Sequence, residues 1–399
     1  MKIKGKKVVL GITGSIAAYK GVEVLRELQK RGAEVKVAIT EAGKEFIGKL
    51  TLEALTGQPV YDRVIPESGQ EIRHTSLARW GDLLLIAPAT ANTIAKISCG
   101  IADTPVSEVA LCFGKGIIAP AMNDRMYENP ITQENLEKLK RLGWEVVEPG
   151  SGYLACGDTG KGRLAEVKDI VEAAEYWFYP KLLKGKKVVI TAGATREYID
   201  PVRFISNPSS GKMGYALAKV AAGMGAEVVL ISGKTCLEPP YRVRRIEVET
   251  VEEMKEAALK EFESANVYIS AAAIGDYTPV ERSSQKIKKG EGELVIRLKR
   301  TPDVLKLIGQ KKREGQVVVG FAAETENLLE NAKKKLEKKN LDLIVANSVK
   351  EGVFGSSQTR VFIVGKSGEV LETSGSKEEV AEEILKKVAE VLKGAESPR

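Results

Sequence analysis

Uninterrupted apolar runs alternate with amphipathic stretches along the whole chain. Runs such as Leu83–Ile86 and Val317–Val319 contain no polar residue, as expected of parallel strands that are covered on both faces. The tail at 377–393 has the spacing of an amphipathic helix, which is predicted to end at Gly394 and to pack on a sheet. The alternation of the two patterns predicts an α/β fold with two tandem doubly wound parallel sheets.

The predicted elements divide evenly between the two halves of the chain. In the first half, strands are predicted near 6–12, 34–39, 83–87, 117–119 and 145–147, and helices near 15–31, 75–80, 91–98, 104–112, 131–142 and 166–178. In the second half, strands near 187–191, 227–231, 267–270, 317–320 and 342–346 also alternate with helices, and 293–298 with 360–364 are expected to add an antiparallel excursion.

A weak internal repeat supports two domains. The sequence GKKVV opens an α/β unit at Gly5–Val9 and another at Gly185–Val189. Each unit continues into a strand that starts with GAEV, at Gly32–Val35 and at Gly225–Val228. The domain boundary is expected within 179–184.

The composition limits the classes of protein to consider. The chain has 399 residues, of which 43% are hydrophobic, and no apolar run approaches the roughly 18 residues that a membrane span needs. The N-terminus, MKIKGKKVVL, leads directly into a strand without a signal-peptide pattern. The net charge of +7 is spread over both halves, which does not favour a nucleic-acid groove. We therefore expect a cytoplasmic protein with neither a membrane nor a nucleic acid as partner.

Cysteine and histidine are scarce. The four cysteines form no C-x-x-C pair, so reduced thiols are expected. Cys112 lies in an apolar segment typical of a core, whereas Cys156 lies in the glycine-rich stretch 151–162, which is typical of a moving loop. His74 is the only histidine, which excludes a histidine-cluster metal site. Asn123 directly follows a predicted strand.

Two polar strand-to-helix turns in the first half predict a ligand site. The turn at Gly11–Ser15 places Gly14 where a backbone amide can approach a ligand, and Ser15 where it can cap the helix or donate to a phosphate. The turn at Pro88–Thr93 has the same character, and two such turns would bracket a ligand at the carboxyl edge of one sheet. The fingerprint G-x-G-x-x-G is absent, so FMN fits better than NAD.

The longest polar turn lies in the second half, at Thr191–Gly214. Strand-to-helix turns usually take about 2–6 residues, and this one is several times longer. It carries Asp200, Arg203 and Asn207, and a long polar loop at this position in an α/β sheet is typical of a ligand site.

The first half resembles the flavin-dependent phosphopantothenoylcysteine decarboxylases. The resemblance rests on GITGSIAAYK, SLARWGD after His74, APATANTIAK, PAMN and GYLACGDTGKGRL, which occur in the family's order. It implies a flavodoxin-like domain at 1–180 with bound FMN, and trimers that hold the flavin at a subunit interface. It also implies that His74 is the base or orienter for the substrate thiol, that Asn123 holds the departing carboxylate and that Cys156 protonates the enethiolate. Tyr127 departs from the tryptophan that is common in the family.

The same resemblance implies a set of flavin-binding residues. They are Gly14, Ser15, Thr40, Pro88, Ala89, Thr90 and Asn92.

The second half resembles phosphopantothenate-cysteine ligase. The resemblance rests on Thr191–Gly214, AAAIGDY, KIKK, GFAAET and DLIVAN. It implies a Rossmann-like ligase domain at 186–399 that uses CTP and Mg²⁺ or Mn²⁺ to form an acyl-cytidylate, from which the cysteine amine displaces CMP. Relatives that use ATP exist, so the base preference stays open.

The ligase resemblance implies specific residue roles. Asn207 would position the acyl-cytidylate, and Lys286 would stabilise charge as pyrophosphate leaves. The nucleotide site would include Ser210, Asp276, Phe321, Lys335 and Lys339, with Asp276 also a metal ligand. A solvated helix face is the alternative for the last two lysines. Gly275 and Thr278 depart from the alanine and arginine that are common around this aspartate.

Together the two halves resemble the bifunctional enzyme of coenzyme A biosynthesis from end to end. The substrates implied are 4'-phosphopantothenate, L-cysteine and CTP, and the product is 4'-phosphopantetheine. Trimeric decarboxylase contacts and dimeric ligase contacts would combine into a dodecamer. The alternative is a non-catalytic flavoprotein that regulates a protein partner.

Overall fold

The computed structural model describes residues 2–65, 73–153, 159–290, 292–324, 328–348 and 358–396. It divides into two compact units, Met1–Phe178 and Tyr179–Arg399. None of the described helices is long and apolar enough to cross a membrane.

The described strands of the first unit form a five-stranded parallel sheet and a hairpin. The sheet strands are β1 (Lys7–Ile12), β2 (Glu34–Ile39), β3 (Leu83–Ala89), β4 (Ile117–Pro120) and β5 (Glu145–Val146), in the order β2-β1-β3-β4-β5. The hairpin pairs β6 (Gly150–Tyr153) with β7 (Thr159–Arg163). All seven residues of β3 are buried, as its uninterrupted apolar sequence predicts for a central parallel strand.

Helices follow the strands of the first unit as predicted, with short additions. They are α1 (Ala18–Lys30), α2 (Glu41–Lys44), α3 (Lys49–Thr56), α4 (Arg73–Trp80), α5 (Ala91–Cys99), α6 (Pro105–Phe113), α7 (Asp124–Glu128), α8 (Pro130–Arg141) and α9 (Val167–Trp177). A capping box at Thr104 begins α6, and the left-handed Gly114 ends it. Cys112 is exposed near the end of α6, so its predicted place in the core is wrong.

The described strands of the second unit form an eight-stranded sheet in the order β12-β11-β8-β13-β16-β17-β18-β19. Six neighbours are parallel: β8 (Lys187–Ala192), β11 (Glu227–Ser232), β12 (Val243–Glu247), β13 (Val267–Ser270), β16 (Val317–Glu324) and β17 (Leu343–Ser348). The last two, β18 (Gln358–Gly365) and β19 (Val370–Ser376), are antiparallel. Two small hairpins pair β9 (Arg196–Tyr198) with β10 (Phe204–Ser206), and β14 (Tyr277–Pro279) with β15 (Leu298–Arg300).

The predicted α/β class with two parallel sheets is confirmed, but one predicted strand is wrong. The segment 360–364 does lie in antiparallel β18, whereas 293–298 forms no strand before Leu298. Leu294 and Val295 are 58% and 81% exposed, so the alternation there has no core to cover. Strand β15, which begins at Leu298, pairs with β14 and does not join the eight-stranded sheet.

The described helices of the second unit are α10 (Lys212–Gly223), α11 (Val251–Phe262), α12 (Val304–Lys311), α13 (Leu328–Lys338) and α14 (Lys377–Glu396). The predicted tail helix is confirmed as α14, which packs on α10, β18 and β19 but runs past Gly394. Val189, Tyr268 and Val318 are fully buried in the core of the unit.

Candidate functional site

The first unit has a cavity at the carboxyl edge of its sheet. Its volume is about 880 Å³, within the range of roughly 300–1,000 Å³ that is usual for small-molecule sites. Its walls come from the segments that follow β1, β2, β3 and β4, and from the end of β7. In a sheet of this strand order, ligands bind outside the carboxyl ends at the switch point between β1 and β3. Both of these strands contribute to the cavity.

The turn after β1 leaves no room for a side chain at Gly14. Gly14 lines the cavity, and a Cβ built on it would lie 2.5 Å from the Cβ of Ala42. The hydroxyl of Ser15 accepts a hydrogen bond from the Ala17 backbone N–H at 3.2 Å. Because α1 begins only at Ala18, Ser15 does not cap it, and the predicted capping role is replaced by this tight turn. Ser15 nevertheless lies in the cavity wall, where it is compatible with a phosphate contact.

A buried hydroxyl joins the turns after β1 and β3. Thr13 is fully buried; its hydroxyl donates to the Pro88 carbonyl at 2.7 Å and accepts from the Thr90 backbone N–H at 3.1 Å. The two turns are therefore held together. Sequence reasoning missed Thr13 because its partners lie 75 and 77 residues away.

Two nine-residue helices begin at the cavity wall. Thr90 caps α5 and Thr104 caps α6, each accepting a hydrogen bond from a backbone N–H in the first turn of its helix. Both threonines line the cavity. Helix N-termini carry a partial positive charge and free N–H groups, which favour anions such as phosphate. The donor set therefore fits the phosphate of a mononucleotide such as FMN.

Five of the seven residues predicted to bind flavin line the cavity. They are Gly14, Ser15, Thr40, Thr90 and Asn92. Thr40 also caps α2 by accepting from the Gly43 backbone N–H at 3.1 Å. Pro88 and Ala89 are buried at the end of β3 and are not among the lining residues.

Asn123 lies in the cavity wall directly after β4. It is the N-cap of α7, and its Oδ1 accepts from the Arg125 backbone N–H at 2.9 Å. The Met122 backbone N–H donates to the Gly162 carbonyl at 3.0 Å, and a Cβ on Gly162 would collide with the Met122 carbonyl oxygen. The end of strand β7 thus packs against the residues that follow β4. Cys156, between β6 and β7 in sequence, lies outside the described residues.

Tyr127 faces the interior of the unit. It is 5% exposed, and its hydroxyl donates to Glu148 at 2.6 Å. Its neighbour Met126 lines the cavity, whereas Tyr127 is not among the lining residues. The position where the family resemblance implies tryptophan therefore holds a buried tyrosine that does not line the cavity.

His74 lies outside the cavity wall of its own chain. It is on the first turn of α4, its side chain is 27% exposed, and its Nδ1 lies 3.2 Å from Oε2 of Glu108. The hydroxyl of Tyr61 donates to the same oxygen. Burial and this hydrogen bond raise the pKa of Tyr61 above its usual range. Sequence reasoning missed Glu108, although a single acidic residue within the otherwise apolar segment PVSEVALCF was a usable signal.

The second unit has its switch point between β8 and β13. The chain passes from β8 to β11 and β12 on one side, and from β13 to β16 and β17 on the other. The segments that follow β8 and β13 are joined by hydrogen bonds, since the Gly275 backbone N–H donates to Thr195 Oγ1 at 2.9 Å and the Ser283 N–H donates to the Ile199 carbonyl at 2.9 Å. The long turn at Thr191–Gly214 is therefore an ordered segment that contains the β9–β10 hairpin.

Asp200 clamps the segment that carries Lys286. Its side chain is fully buried, and Oδ1 accepts the backbone N–H groups of Val202 and Arg203 at 2.8 and 2.7 Å. Its Oδ2 accepts the Ile287 backbone N–H at 3.2 Å and pairs with the Arg203 guanidinium at 2.8 Å. Arg203 in turn donates to the Ile287 carbonyl at 3.1 Å. The residue next to Lys286 is thus held through both of its backbone polar groups.

The charge of Asp200 is favoured by these partners. Burial alone would raise the pKa of Asp200, but the three backbone N–H groups and the Arg203 guanidinium hold it below the ordinary aspartate value.

The other predicted ligase residues lie around these segments. Asn207 and Ser210 are exposed between β10 and α10, and Asp276 is exposed after β13. Phe321 is half-buried in β16, one residue beyond the pairing of Gly320 with Ser270, the last residue of β13. All four therefore follow the carboxyl ends of β8 and β13 or lie level with them.

Lys339 is less suited to the predicted phosphate contact. It is the first residue after α13, and its ammonium group lies 2.9 Å from Oδ2 of Asp303. Helix α13 runs back from the carboxyl edge toward the start of β17, so Lys335 in its last turn and Lys339 directly after it lie away from that edge. Among the described residues, no group of three or more His, Cys, Asp or Glu side chains is arranged to hold a metal ion. Phosphate binding by these lysines and metal binding by Asp276 stay predictions.

Comparisons with known proteins cover both units. A family model described as "Flavoprotein" matches residues 1–178, and one described as "DNA/pantothenate metabolism flavoprotein C-terminal domain" matches residues 183–392. The coenzyme A biosynthesis bifunctional protein CoaBC of Vibrio vulnificus (strain YJ016) is 43% identical over 396 residues, which cover 98% of this chain and 99% of the relative. The CoaBC protein of Bacillus subtilis (strain 168) is 44% identical over 400 residues, or 98% of this chain. The chain belongs to the CoaBC family.

A solved structure of the C-terminal domain of a CoaBC protein is 45% identical, covers 54% of this chain and 99% of its own, and has a TM-score of 0.47. Membership of the CoaBC family confirms the predicted resemblance to bifunctional enzymes of coenzyme A biosynthesis, with a flavoprotein half followed by a ligase half. Matches over nearly the whole of both halves do not favour the alternative of a non-catalytic flavoprotein.

Proposed function

We propose that the first unit binds FMN and decarboxylates 4'-phosphopantothenoylcysteine to 4'-phosphopantetheine. The observation that carries this proposal is the cavity of about 880 Å³ at the β1–β3 switch point, bounded by the helix N-termini at Thr90 and Thr104. Gly14, Ser15 and the two threonines would hold the phosphate of the cofactor. When bound, FMN supplies the reversible oxidation of the substrate's cysteine side chain.

Three side chains would act on the substrate. Asn123, fixed as the N-cap of α7 in the cavity wall, holds the carboxylate that leaves as carbon dioxide. His74 accepts or orients the proton of the substrate thiol. Cys156 returns a proton to the product. These roles come from the family resemblance, and the position of Asn123 supports the first of them.

The decarboxylase site would be completed by a second copy of the chain. Ile16, Tyr19 and Met126 line the cavity and are 62%, 53% and 50% exposed, so the cavity has apolar rims that a neighbouring subunit can cover. His74 lies outside the cavity wall of its own chain, which fits a site shared between subunits. The family resemblance implies trimeric contacts for this unit and dimeric contacts for the second, which would combine into a dodecamer.

The second unit would join 4'-phosphopantothenate to L-cysteine with CTP. The joined segments after β8 and β13 support a nucleotide site at this switch point. Asn207 would position the acyl-cytidylate, Lys286 would stabilise the leaving pyrophosphate, and Asp276 and Phe321 would line the nucleotide site. Mg²⁺ or Mn²⁺ would be held chiefly by the substrate phosphates with one carboxylate, as is usual for Mg²⁺. A cytoplasmic location is proposed with this function, since phosphorylated substrates and nucleoside triphosphates are available there.

A coupled assay tests both halves. The purified chain is supplied with FMN, then incubated with 4'-phosphopantothenate, L-cysteine, Mg²⁺ and either CTP or ATP. We expect 4'-phosphopantetheine and carbon dioxide with CTP, and a yellow protein with flavin absorbance. Adding preformed 4'-phosphopantothenoylcysteine without nucleotide isolates the first unit. No product from that substrate by the flavin-loaded protein would refute the decarboxylase, and no phosphopantothenoylcysteine from either nucleotide would refute the ligase.

A further inference from the structure

Glu108 is a carboxylate in a helix that is otherwise mostly apolar. Its side chain is 14% exposed, and its neighbours Val106, Val109 and Ala110 are buried. It lies four residues after Thr104, about 6 Å along the helix axis from the cavity wall. A charged group in such surroundings costs free energy unless partners satisfy it. The groups that contact Glu108 therefore indicate the role of this carboxylate.

Oε2 of Glu108 has two polar neighbours. The Tyr61 hydroxyl donates to it, and Nδ1 of His74 lies 3.2 Å from it. An ionised carboxylate only accepts hydrogen bonds, so a neutral imidazole can bond to it from this position only with its proton on Nδ1. Nε2 is then the acceptor nitrogen of His74. Because burial and Glu108 raise the pKa of Tyr61, its hydroxyl keeps its proton and remains a donor.

Hydrogen bonds of the backbone fix the positions of the residues in the cluster of Tyr61, His74 and Glu108. Tyr61 extends the sheet beside β2, since its N–H donates to the Val37 carbonyl at 2.9 Å and its carbonyl accepts from the Ile39 N–H at 2.9 Å. The Arg73 guanidinium donates to the Val60 carbonyl at 3.0 Å, which ties the start of α4 to the same strand. Glu108 is thus held from the sheet while α4 brings His74 to it.

Two further groups face the cluster. Arg73 lies close enough to Tyr61 to oppose the rise in the pKa of Tyr61. Cys112 lies on the same helix as Glu108, and partial desolvation of its thiol together with the Glu108 charge raises the pKa of this otherwise exposed residue. Cys112 is therefore neutral near pH 7. The negative charge in contact with His74 is that of Glu108.

We propose that Glu108 is a positioning residue of the decarboxylase site, which holds the His74 imidazole with its proton on Nδ1 and directs Nε2 to the substrate thiol. The proposal rests on the decarboxylase function proposed above. In the step concerned, the substrate S–H bond breaks, an Nε2–H bond forms and the electron pair stays on sulfur as the thiolate. Glu108 keeps its charge and stabilises the imidazolium, as the carboxylate does beside the histidine of hydrolase triads.

The kinetic test uses the isosteric variant Glu108→Gln in the full chain loaded with FMN. With preformed 4'-phosphopantothenoylcysteine, kcat should fall between about 10- and 100-fold, the range found for carboxylates that orient metal-bound histidines through the second ring nitrogen. KM should change less than about twofold, because Glu108 contacts no substrate. Glu108→Asp should restore part of kcat. Glu134→Gln, an exposed glutamate on α8, is the matched control and should behave as the wild type.

A spectroscopic test is independent of turnover. Because His74 is the only histidine, labelling histidine with ¹⁵N gives imidazole signals that need no assignment. The wild type should show the Nδ1–H tautomer as the main neutral form, and Glu108→Gln should lose this preference while keeping its flavin absorbance. Tyr61→Phe leaves the carboxylate in place and should retain the tautomer, which provides a second variant if Glu108→Gln folds poorly.

The outcomes separate the two proposals. An active wild type together with Glu108→Gln that keeps full kcat, or a wild type whose main neutral tautomer is Nε2–H, would overturn the role of Glu108 alone. A flavin-loaded wild type that does not decarboxylate would overturn the proposed function, and the positioning role of Glu108 with it.

Discussion

The two units each hold a proposed catalytic side chain with a buried or nearly buried carboxylate, but they do so at different points. Glu108 contacts the imidazole of His74 itself. Asp200 contacts the backbone of Ile287 and leaves the ammonium group of Lys286 alone. A carboxylate on the reacting group sets its protonated form as well as its place, whereas a carboxylate on the neighbouring backbone sets place only. The proton transfer proposed for His74 needs the first arrangement, and the charge stabilisation proposed for Lys286 needs only the second.

The largest effect is expected from Asp200→Asn. The amide cannot accept all the hydrogen bonds that Asp200 accepts, so the segment with Lys286 should shift, and a misplacement of about 1 Å can cost about 10²-fold in rate. We expect ligase kcat to fall by about this factor and decarboxylase kcat with preformed substrate to stay unchanged. Glu256→Gln, an exposed glutamate on α11, is the control. Normal ligase turnover in Asp200→Asn would show that the clamp does not place Lys286.

Gly14→Ala is expected to act about tenfold on cofactor binding. Its Cβ would lie 2.5 Å from the Cβ of Ala42, and overpacking of this kind typically costs about 1–3 kcal/mol. FMN should therefore bind about tenfold more weakly in a fluorescence titration of flavin-free protein. Gly48→Ala is the control, since the nearest atom to its Cβ would be Thr51 Oγ1 at 3.9 Å. Equal FMN affinities for both variants would mean that the turn after β1 does not form the flavin site.

Tyr61→Phe should have a smaller effect. It removes the hydrogen bond from Tyr61 to Glu108 but leaves the contact with His74, and a hydrogen bond contributes about 1 kcal/mol. We expect decarboxylase kcat to fall about fivefold, with ligase activity unchanged. A loss as large as that in Glu108→Gln would shift the positioning role from the carboxylate to the tyrosine.

The smallest effect is a pH dependence of stability. Because the native pKa of Asp200 lies below the ordinary value of about 3.9, its contribution to stability is complete above that value and is lost as the pH falls through the lower native pKa. The difference in Tm between the wild type and Asp200→Asn should therefore be constant from about pH 5 to 7 and should shrink near pH 3. A difference that grows on acidification would contradict the assigned charge.

Local pattern was enough for the strands and the turns that bound the candidate sites. The buried strand β3 and the turn that contains Gly14 are predicted from apolar runs and from the turn-forming residues that follow them within a few positions. The partners of Glu108 and Asp200 could not be found that way, because the Tyr61–Glu108 hydrogen bond spans 47 residues and the Asp200–Ile287 bond spans 87. A contact at that separation depends on the strand order of the sheet. The sequence pattern predicts a doubly wound sheet without specifying that order.

The Thr13 hydroxyl has a consequence for the order of folding. Its two partners, the Pro88 carbonyl and the Thr90 N–H, join the turn after β1 only when β3 has taken its place beside β1. Contacts this distant in sequence form late because loop closure must come first. The proposed flavin-binding cavity is then expected to be among the last parts of the unit to assemble. The return of bound-flavin absorbance during refolding would report that the pairing of β1 with β3 is complete.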